Sequence, residues 1–393
     1  MPDSPTPKQY PCPTCGSEAR WDPAEHALVC ISCETRAPAD DELNGLDGQD
    51  IKEHILTLRL RNAPDSERGW QSEKQELRCE TCGAISVLDQ DCMTGGCTFC
   101  GSSVLSSYTE LKPSLRPESV LPFKITESQV RESVRMWYGR QWLAPAALKT
   151  RAMTDTVRGM YIPCWTFDAR ASAHWTATTG SGENRSIGFS GNEESGHVEV
   201  QFDDVLVPAS QGLNHDMLTE LEPFPTNELK PYHPGFLAGW PVERYHLDLA
   251  NAAVLGRQRM DRQMKSICAE RNRNQKHRGL QISTNYSEQT FKHVLVPVWI
   301  LNYLFAGEPY QVLVNGYTGK ITGSFPVSRA KISTCAIAAV AVALPVAFYH
   351  PVLVTLGAVA ALALYLSVRR SYKSTLETFP SSTPPYVRSL RPK

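Results

Sequence analysis

Net charge is nearly missing from this chain: 40 Lys and Arg stand against 41 Asp and Glu in 393 residues, a formal −1. Nothing global therefore draws it toward nucleic acid or anionic lipid. The opening residues, MPDSPTPKQY, hold no basic region followed by an apolar run, so no secretory signal is expected. Cysteine is scarce beyond residue 100, where only Cys164, Cys268 and Cys335 remain of twelve. That excludes a disulfide framework spread along the chain. Nine cysteines crowded into the front of a chain without a signal read instead as metal ligands kept reduced in the cytosol.

Catalytic signatures are missing as well. There is no His-Glu-x-x-His and no Gly-x-Ser-x-Gly. Gly319-Lys320 is followed by Ile321 where a phosphate-binding loop needs Ser or Thr, so a β-turn is expected there. His174, His197, His215, His233 and His246 stand singly, and Cys164, in an apolar stretch after Pro163, is expected to be a small buried residue, with a nucleophile as the alternative. The basic run at 257–278 reads as a solvated helix face, with contact to RNA or anionic lipid as the alternative. No catalytic and no cofactor-binding residue is assigned, and the chain is not expected to be an enzyme.

What is present is a doubled cysteine pattern. Cys12-x2-Cys15, fourteen residues, then Cys30-x2-Cys33 recurs as Cys79-x2-Cys82, fourteen residues, then Cys97-x2-Cys100. Zinc takes four thiolates in a tetrahedron, and each Cys-x-x-Cys knuckle supplies two from one tight turn. Gly16, Gly83 and Gly101 follow three of the knuckles, where a backbone without Cβ can turn toward the sulfurs. Two structural Zn2+ ions per chain are expected, on Cys12, Cys15, Cys30 and Cys33 and on Cys79, Cys82, Cys97 and Cys100. Cys92, a ninth cysteine inside the second ribbon, is either a spare thiol or a substitute ligand. Across residues 1–50 three Lys or Arg face ten Asp or Glu. Phosphate contacts need the opposite sign, so protein partners suit the first ribbon better than nucleic acid.

The rest of the chain divides by composition. Zinc ribbon 1 covers 1–36, a linker with a short amphipathic helix from Ile51 covers 37–73, and zinc ribbon 2 covers 74–104. An α+β domain follows over 105–330. Within it a helix is expected in "ITESQVRESVRMWYGRQW", with Thr126 and Gln129 forming a capping box and Val130, Val134 and Trp137 on one face. Strands are expected in "YIPCWTFDARASAHWTAT" and "HVEVQFDDVLVPAS", a long helix over 241–272 with Pro241 near its start, and a meander over 291–323. "IPCW" at 162–165 and "VPVW" at 296–299 echo one another. Convergent use of Pro ahead of a paired region is the simpler explanation, and a duplicated α+β half is the alternative. From Ile332 to Val368 no side chain is Asp, Glu, Lys or Arg. That length suggests a two-helix transmembrane hairpin over 331–369, with spans near 332–348 and 352–368 and a turn at Tyr349–Pro351, followed by a disordered tail over 370–393. Basic residues on both flanks put both termini in the cytosol, and the protein in the cytoplasmic membrane as a multi-pass chain with the lipid bilayer as a partner.

The doubled ribbon, "YIPCWTFDA", "FLAGWPVERYHLDL", "FKHVLVPVWILNYLFAGEPYQVLVNGYTGKITGSFP" and the terminal apolar segment together resemble a group of bacterial membrane-associated double zinc-ribbon proteins. Its members are often called transcription-factor-IIB-type zinc-ribbon proteins, and some carry the label primosomal protein N-prime, superfamily II helicase. The resemblance is most specific over 291–326. It implies no established activity, and partners among membrane-stress and membrane-scaffold proteins. Glu34 departs from the Cys-Gly knuckle. The expectation is a membrane-anchored scaffold or adaptor that recruits proteins; the alternative is a nucleic-acid-binding protein of replication or transcription without a motor of its own.

Overall fold

The computed structural model describes residues 10–36, 43, 46, 51–59, 70, 74–89, 96–108, 115–148, 156–179, 192–271 and 277–349. Most of this is β-sheet. Ribbon 1 is an antiparallel pair, β1 (Ala19–Asp22) and β2 (Ala27–Cys30). The helix expected from Ile51 is a short strand, β3 (His54–Ile55), and a single helical turn, Leu56–Arg59. Ribbon 2 contributes β4 (Lys74–Cys79), β5 (Ile85–Asp89) and β6 (Leu105–Ser107).

The α+β body runs β7 (Ser119–Val120), α1 (Glu127–Arg140), β8 (Val157–Thr179), β9 (Asn192–Pro208) and α2 (His215–Glu220). It continues through β10 (Lys230–Pro231), β11 (Val242–Glu243), α3 (Leu249–Arg271), β12 (His277–Phe305), β13 (Glu308–Asn315) and β14 (Ile321–Gly323). One sheet joins them in the order β10-β7-β12-β8-β11-β5-β4-β6, with β9 on β8, β3 and β13 on β12, and β14 on β13. Ribbon 2 is thus part of the body's sheet, whereas ribbon 1 forms a sheet of its own.

Local sequence sets several of these elements. Thr126 caps α1, its hydroxyl accepting from Gln129 N while the Gln129 side chain accepts from Thr126 N. Val130, Val134 and Tyr138 are the helix residues that bury. The long helix begins eight residues later than expected from Pro241, because Val242 and Glu243 are taken into β11, between Tyr161 of β8 and Val87 of β5. Asp248 then caps α3, accepting from Asn251 N at 2.8 Å.

The body is built twice. In each half a short strand leads, after six residues, to a helix cap: Val120 to Thr126 and Val242 to Asp248. Helix, long strand and hairpin partner follow. Trp165 and Phe167 of β8 pair with Val207 and Val205 of β9, and Trp299 and Leu301 of β12 pair with Val314 and Val312 of β13. Ile162 and Val296, which begin the two echoing motifs, pair with each other. A local two-fold axis therefore passes between β8 and β12. The leading strands are exchanged: β7 runs parallel to β12, and β11 runs parallel to β8. Convergent use of Pro does not account for a register shared this closely.

The prolines themselves fit the exchange. Proline cannot donate to a ladder, so it is tolerated where a strand lacks a partner on that side. Along one edge of β8 the partner changes from β11 at Tyr161 to β9 at Cys164, and Pro163 falls in the gap. Pro297 occupies the same gap between β7 at Leu295 and β13 at Val298. Each keeps its carbonyl bonded, to Ala209 N and Gly316 N respectively, both at 2.9 Å.

The apolar C-terminal segment corrects an expectation. α4 (Arg329–Tyr349) covers the first proposed span, and among the described residues no helix is long and apolar enough to cross a membrane. Its first turn is tied to the body: Lys331 Nζ donates to Trp142 O and Ala144 O, and Ser328 N to Leu143 O. A run without Asp, Glu, Lys or Arg gave no sign that the segment opens docked on residues 142–144. The second proposed span, 352–368, and the tail lie outside the described residues. The transmembrane hairpin, the multi-pass placement in the cytoplasmic membrane and the bilayer as partner are therefore set aside.

Candidate metal centres

Two groups of four cysteines bring their sulfurs together, and they are the two groups that spacing indicated. A tetrahedron with sulfurs about 2.3 Å from its centre has edges of about 3.8 Å. In ribbon 1 Cys12 Sγ lies 3.5 Å from Cys33 Sγ, and Cys15 Sγ 3.4 Å from Cys30 Sγ. In ribbon 2 the Cys79–Cys100 and Cys82–Cys97 separations are both 3.6 Å. The donor sets fit a tetrahedral thiophilic dication.

All four knuckles use one turn. The amide four residues after the first cysteine donates back to that cysteine's carbonyl: Gly16 to Cys12, Glu34 to Cys30, Gly83 to Cys79 and Gly101 to Cys97, at 2.8–3.0 Å. The turn needs left-handed backbone, with φ of 70°, 78° and 74° at the three glycines and 58° at Glu34. At Glu34 a Cβ must be accommodated there, costing on the order of 1–2 kcal/mol. Amides also point at sulfur, Thr14 N to Cys12 Sγ and Ser32 N to Cys30 Sγ, both at 3.4 Å. Such donors stabilise thiolate.

Charge is uneven among the sulfurs. The backbone amide of Ser17 pulls the Cys15 thiol down to about 6, while burial pushes Cys30 up to about 11. In ribbon 2 hydrogen bonds from Cys100 and Cys82 drive Cys97 far down, while those with Cys100 and Cys97 drive Cys82 up. Four thiolates at this spacing repel, so protons remain unless a cation sits among them. A dication replaces those protons.

The two groups are seated differently. Cys15 and Cys33 are exposed. Ribbon 1 leans on the body through Trp21, whose indole donates to Phe123 O at 3.2 Å and whose backbone N donates to Ala238 O at 3.1 Å. Trp240 Nε1 returns a bond to Trp21 O at 2.9 Å. Phe236 meets Trp21 edge-on, and Phe123 stacks on Trp240 with centroids 4.3 Å apart.

Ribbon 2 is held from inside the sheet. Cys79, Cys97 and Cys100 are buried. Arg158 of β8 donates to Gly96 O and Cys97 O at 3.1 and 3.0 Å, and Asn302 of β12 donates to Phe99 O at 2.6 Å. Arg158 also puts a positive charge beside a group that stays anionic when it holds a dication. Phe99 lies so close over Gly212 that a Cβ there would come within 2.3 Å of the ring. Gln211 N and Gly212 N both donate to Glu243 Oε1 at 2.9 Å, fixing the loop that backs the ribbon. Burial pushes the Glu243 carboxyl up to about 7 against those donors.

A third cluster, Asp168, Asp203 and Asp204, carries no metal reading. Lys292 Nζ sits 2.8 Å from Asp204 and 3.0 Å from Glu53, and Asp168 accepts from Asp204 N and the Thr290 hydroxyl. Burial opposes the Lys292 charge, but these carboxylates outweigh it and lift the ammonium to about 12. The ammonium already supplies the cation.

Other expectations resolve simply. Asn315 Oδ1 accepts from Tyr317 N and Thr318 N, making the turn expected around Gly319-Lys320. Cys164 is buried in β8. His174 and His197 pair across β8 and β9. Cys92 lies outside the described residues. Arg158 and Asn302 bond to ribbon 2 across 61 and 203 residues of sequence, and Glu243 pairs with Ser86, so none of the three leaves a local signature.

No family model matches the chain, and no solved structure matches it. It is similar to the uncharacterized protein YdjG of Bacillus subtilis (strain 168), with 25% identity over 337 residues that span 82% of this chain and 92% of that protein.

Proposed function

We propose that both four-cysteine groups hold zinc, and that the chain is a non-catalytic zinc scaffold whose surface binds protein partners. The observation that carries this reading is the completeness of each donor set. Four protein sulfurs fill the tetrahedron and leave no position for water or substrate, the mark of a structural rather than a catalytic site. Bound zinc supplies folding energy to ribbons too small to build cores of their own.

The acidic balance of residues 1–50 favours protein over nucleic acid as the partner. The test joins metal analysis to binding. Purified protein contains two zinc ions per chain. Converting Asp40, Asp41 and Glu42 to Lys leaves zinc content intact and abolishes partner recovery in affinity purification. Tight duplex-DNA binding that weakens steeply with salt would replace this reading with the nucleic-acid one.

A further inference from the structure

Ribbon 1 differs from ribbon 2 in what can reach its sulfurs. Cys15 and Cys33 are exposed, and each has a buried sulfur beside it: Cys30 at 3.4 Å from Cys15, and Cys12 at 3.5 Å from Cys33. In ribbon 2 three of the four cysteines are buried, with Cys82 half-buried; Arg158 and Asn302 bond to the carbonyls of the second knuckle, whose Phe99 packs against Gly212. Ribbon 1 also carries the one knuckle turn of the four that forces a side-chain-bearing residue, Glu34, into left-handed backbone, at φ 58°. That strain is relieved when the turn opens. Exposed thiolates oxidise selectively over buried ones.

We propose that ribbon 1 is a peroxide-sensitive thiol switch that releases its zinc on oxidation, while ribbon 2 retains its own. The inference rests on the zinc reading above. An exposed thiolate, Cys15 or Cys33, attacks one oxygen of a peroxide, and the O–O bond breaks. The cysteine becomes a sulfenic acid and hydroxide leaves. The neighbouring thiolate, Cys30 or Cys12, then attacks that sulfur, forming the S–S bond and expelling a second hydroxide. Two protons from solvent convert both to water, so two thiolates lose two electrons and the peroxide gains them. Zinc loses two of its four ligands and dissociates. The change is felt at the body through Trp21, whose indole and backbone bond to Phe123 and Ala238 at the ribbon's inner face.

The experiment uses the zinc-loaded full chain, hydrogen peroxide, and a chromogenic zinc chelator to follow release. One zinc per chain leaves at least ten-fold faster than the second. Peptide mapping after the fast phase finds a disulfide among Cys12, Cys15, Cys30 and Cys33, with the other four reduced. Glu34→Gly keeps every ligand and slows the fast phase. Release of both ions in one phase, or first oxidation at Cys79, Cys82, Cys97 or Cys100, would overturn the switch and leave the zinc reading standing. Fewer than two zinc ions before peroxide is added would overturn the metal reading, and the switch with it.

Discussion

Ribbon 1 and ribbon 2 fold the same cysteine spacing into the same knuckle turns, yet one leans against the body and the other supplies strands to it. Ribbon 1 touches the sheet through Trp21 and its neighbours, and among the described residues its two strands pair with each other in a sheet of their own. Ribbon 2 continues the central sheet through β5 and β11, and takes hydrogen bonds from both long strands. A four-thiolate site is therefore not one kind of module. What surrounds the sulfurs decides whether a metal bound there would hold a detachable lobe or the fold itself.

The comparison can be broken most directly at the ligands. On the zinc reading proposed above, Cys82→Ser is expected to remove the metal of ribbon 2, a site of a kind worth about 10–16 kcal/mol in isolated zinc-binding peptides. Because β4, β5 and β6 are body strands, the expected outcome is loss of the cooperative melting transition and not of one ribbon alone. Cys15→Ser also halves the zinc content but leaves a melting body. Zinc analysis paired with thermal denaturation reads both. Equal destabilisation by the two variants would erase the distinction.

The seam of ribbon 1 gives a smaller effect. Trp21→Ala empties a site at the ribbon–body contact and is expected to cost about 3–5 kcal/mol. Both zinc ions should stay bound, since no ligand is touched. Limited proteolysis then cuts between ribbon 1 and the body before it cuts elsewhere.

Glu243 sharpens the other side. Its carboxyl titrates at about 7 in the folded protein, above the usual carboxylate range, because it is buried. The folded state then holds a proton that the unfolded state has given up. Stability contributed by the protonated group is full below about pH 4.5 and is lost as pH rises toward 7, by about 3 kcal/mol at most. Glu243→Gln keeps an acceptor for Gln211 N and Gly212 N and should flatten that slope. Chemical denaturation across pH 5–8, wild type against variant, is the measurement. The smallest expected change is Glu34→Gly, which relieves the turn and stabilises ribbon 1 by about 1 kcal/mol, seen as tighter zinc retention against a competing chelator.

The two four-cysteine groups were legible because tetrahedral metal ligation is written in short spacings. Three of the four knuckle turns announced themselves through Gly16, Gly83 and Gly101, and the fourth through its departure at Glu34. The capping box at Thr126 was equally local. What could not be read was long-range. Val242 and Glu243 fall in a pattern that suits a helix, and only pairing with Val87 and Tyr161 makes them a strand. The duplication was visible as two four-residue echoes, but its weight comes from register, which no single stretch encodes. The terminal apolar run misled because hydropathy does not register what a segment docks on, and α4 opens tied to the body through Lys331.

The exchange of leading strands has a consequence for how the chain is made. β7 and α1 emerge early from the ribosome, but β7 pairs with β12, which spans His277–Phe305. At about 5–20 residues per second, synthesis from the end of β9 to the end of β12 takes about 5–20 s. For that interval the first half carries an open edge on β8 where its central partner belongs. A nascent chain arrested near Arg271 should therefore stay protease-sensitive throughout its first half. Exposed edges of this sort are what chaperones cover, so depleting a nascent-chain chaperone should lower the yield of this protein more than that of one whose halves close independently.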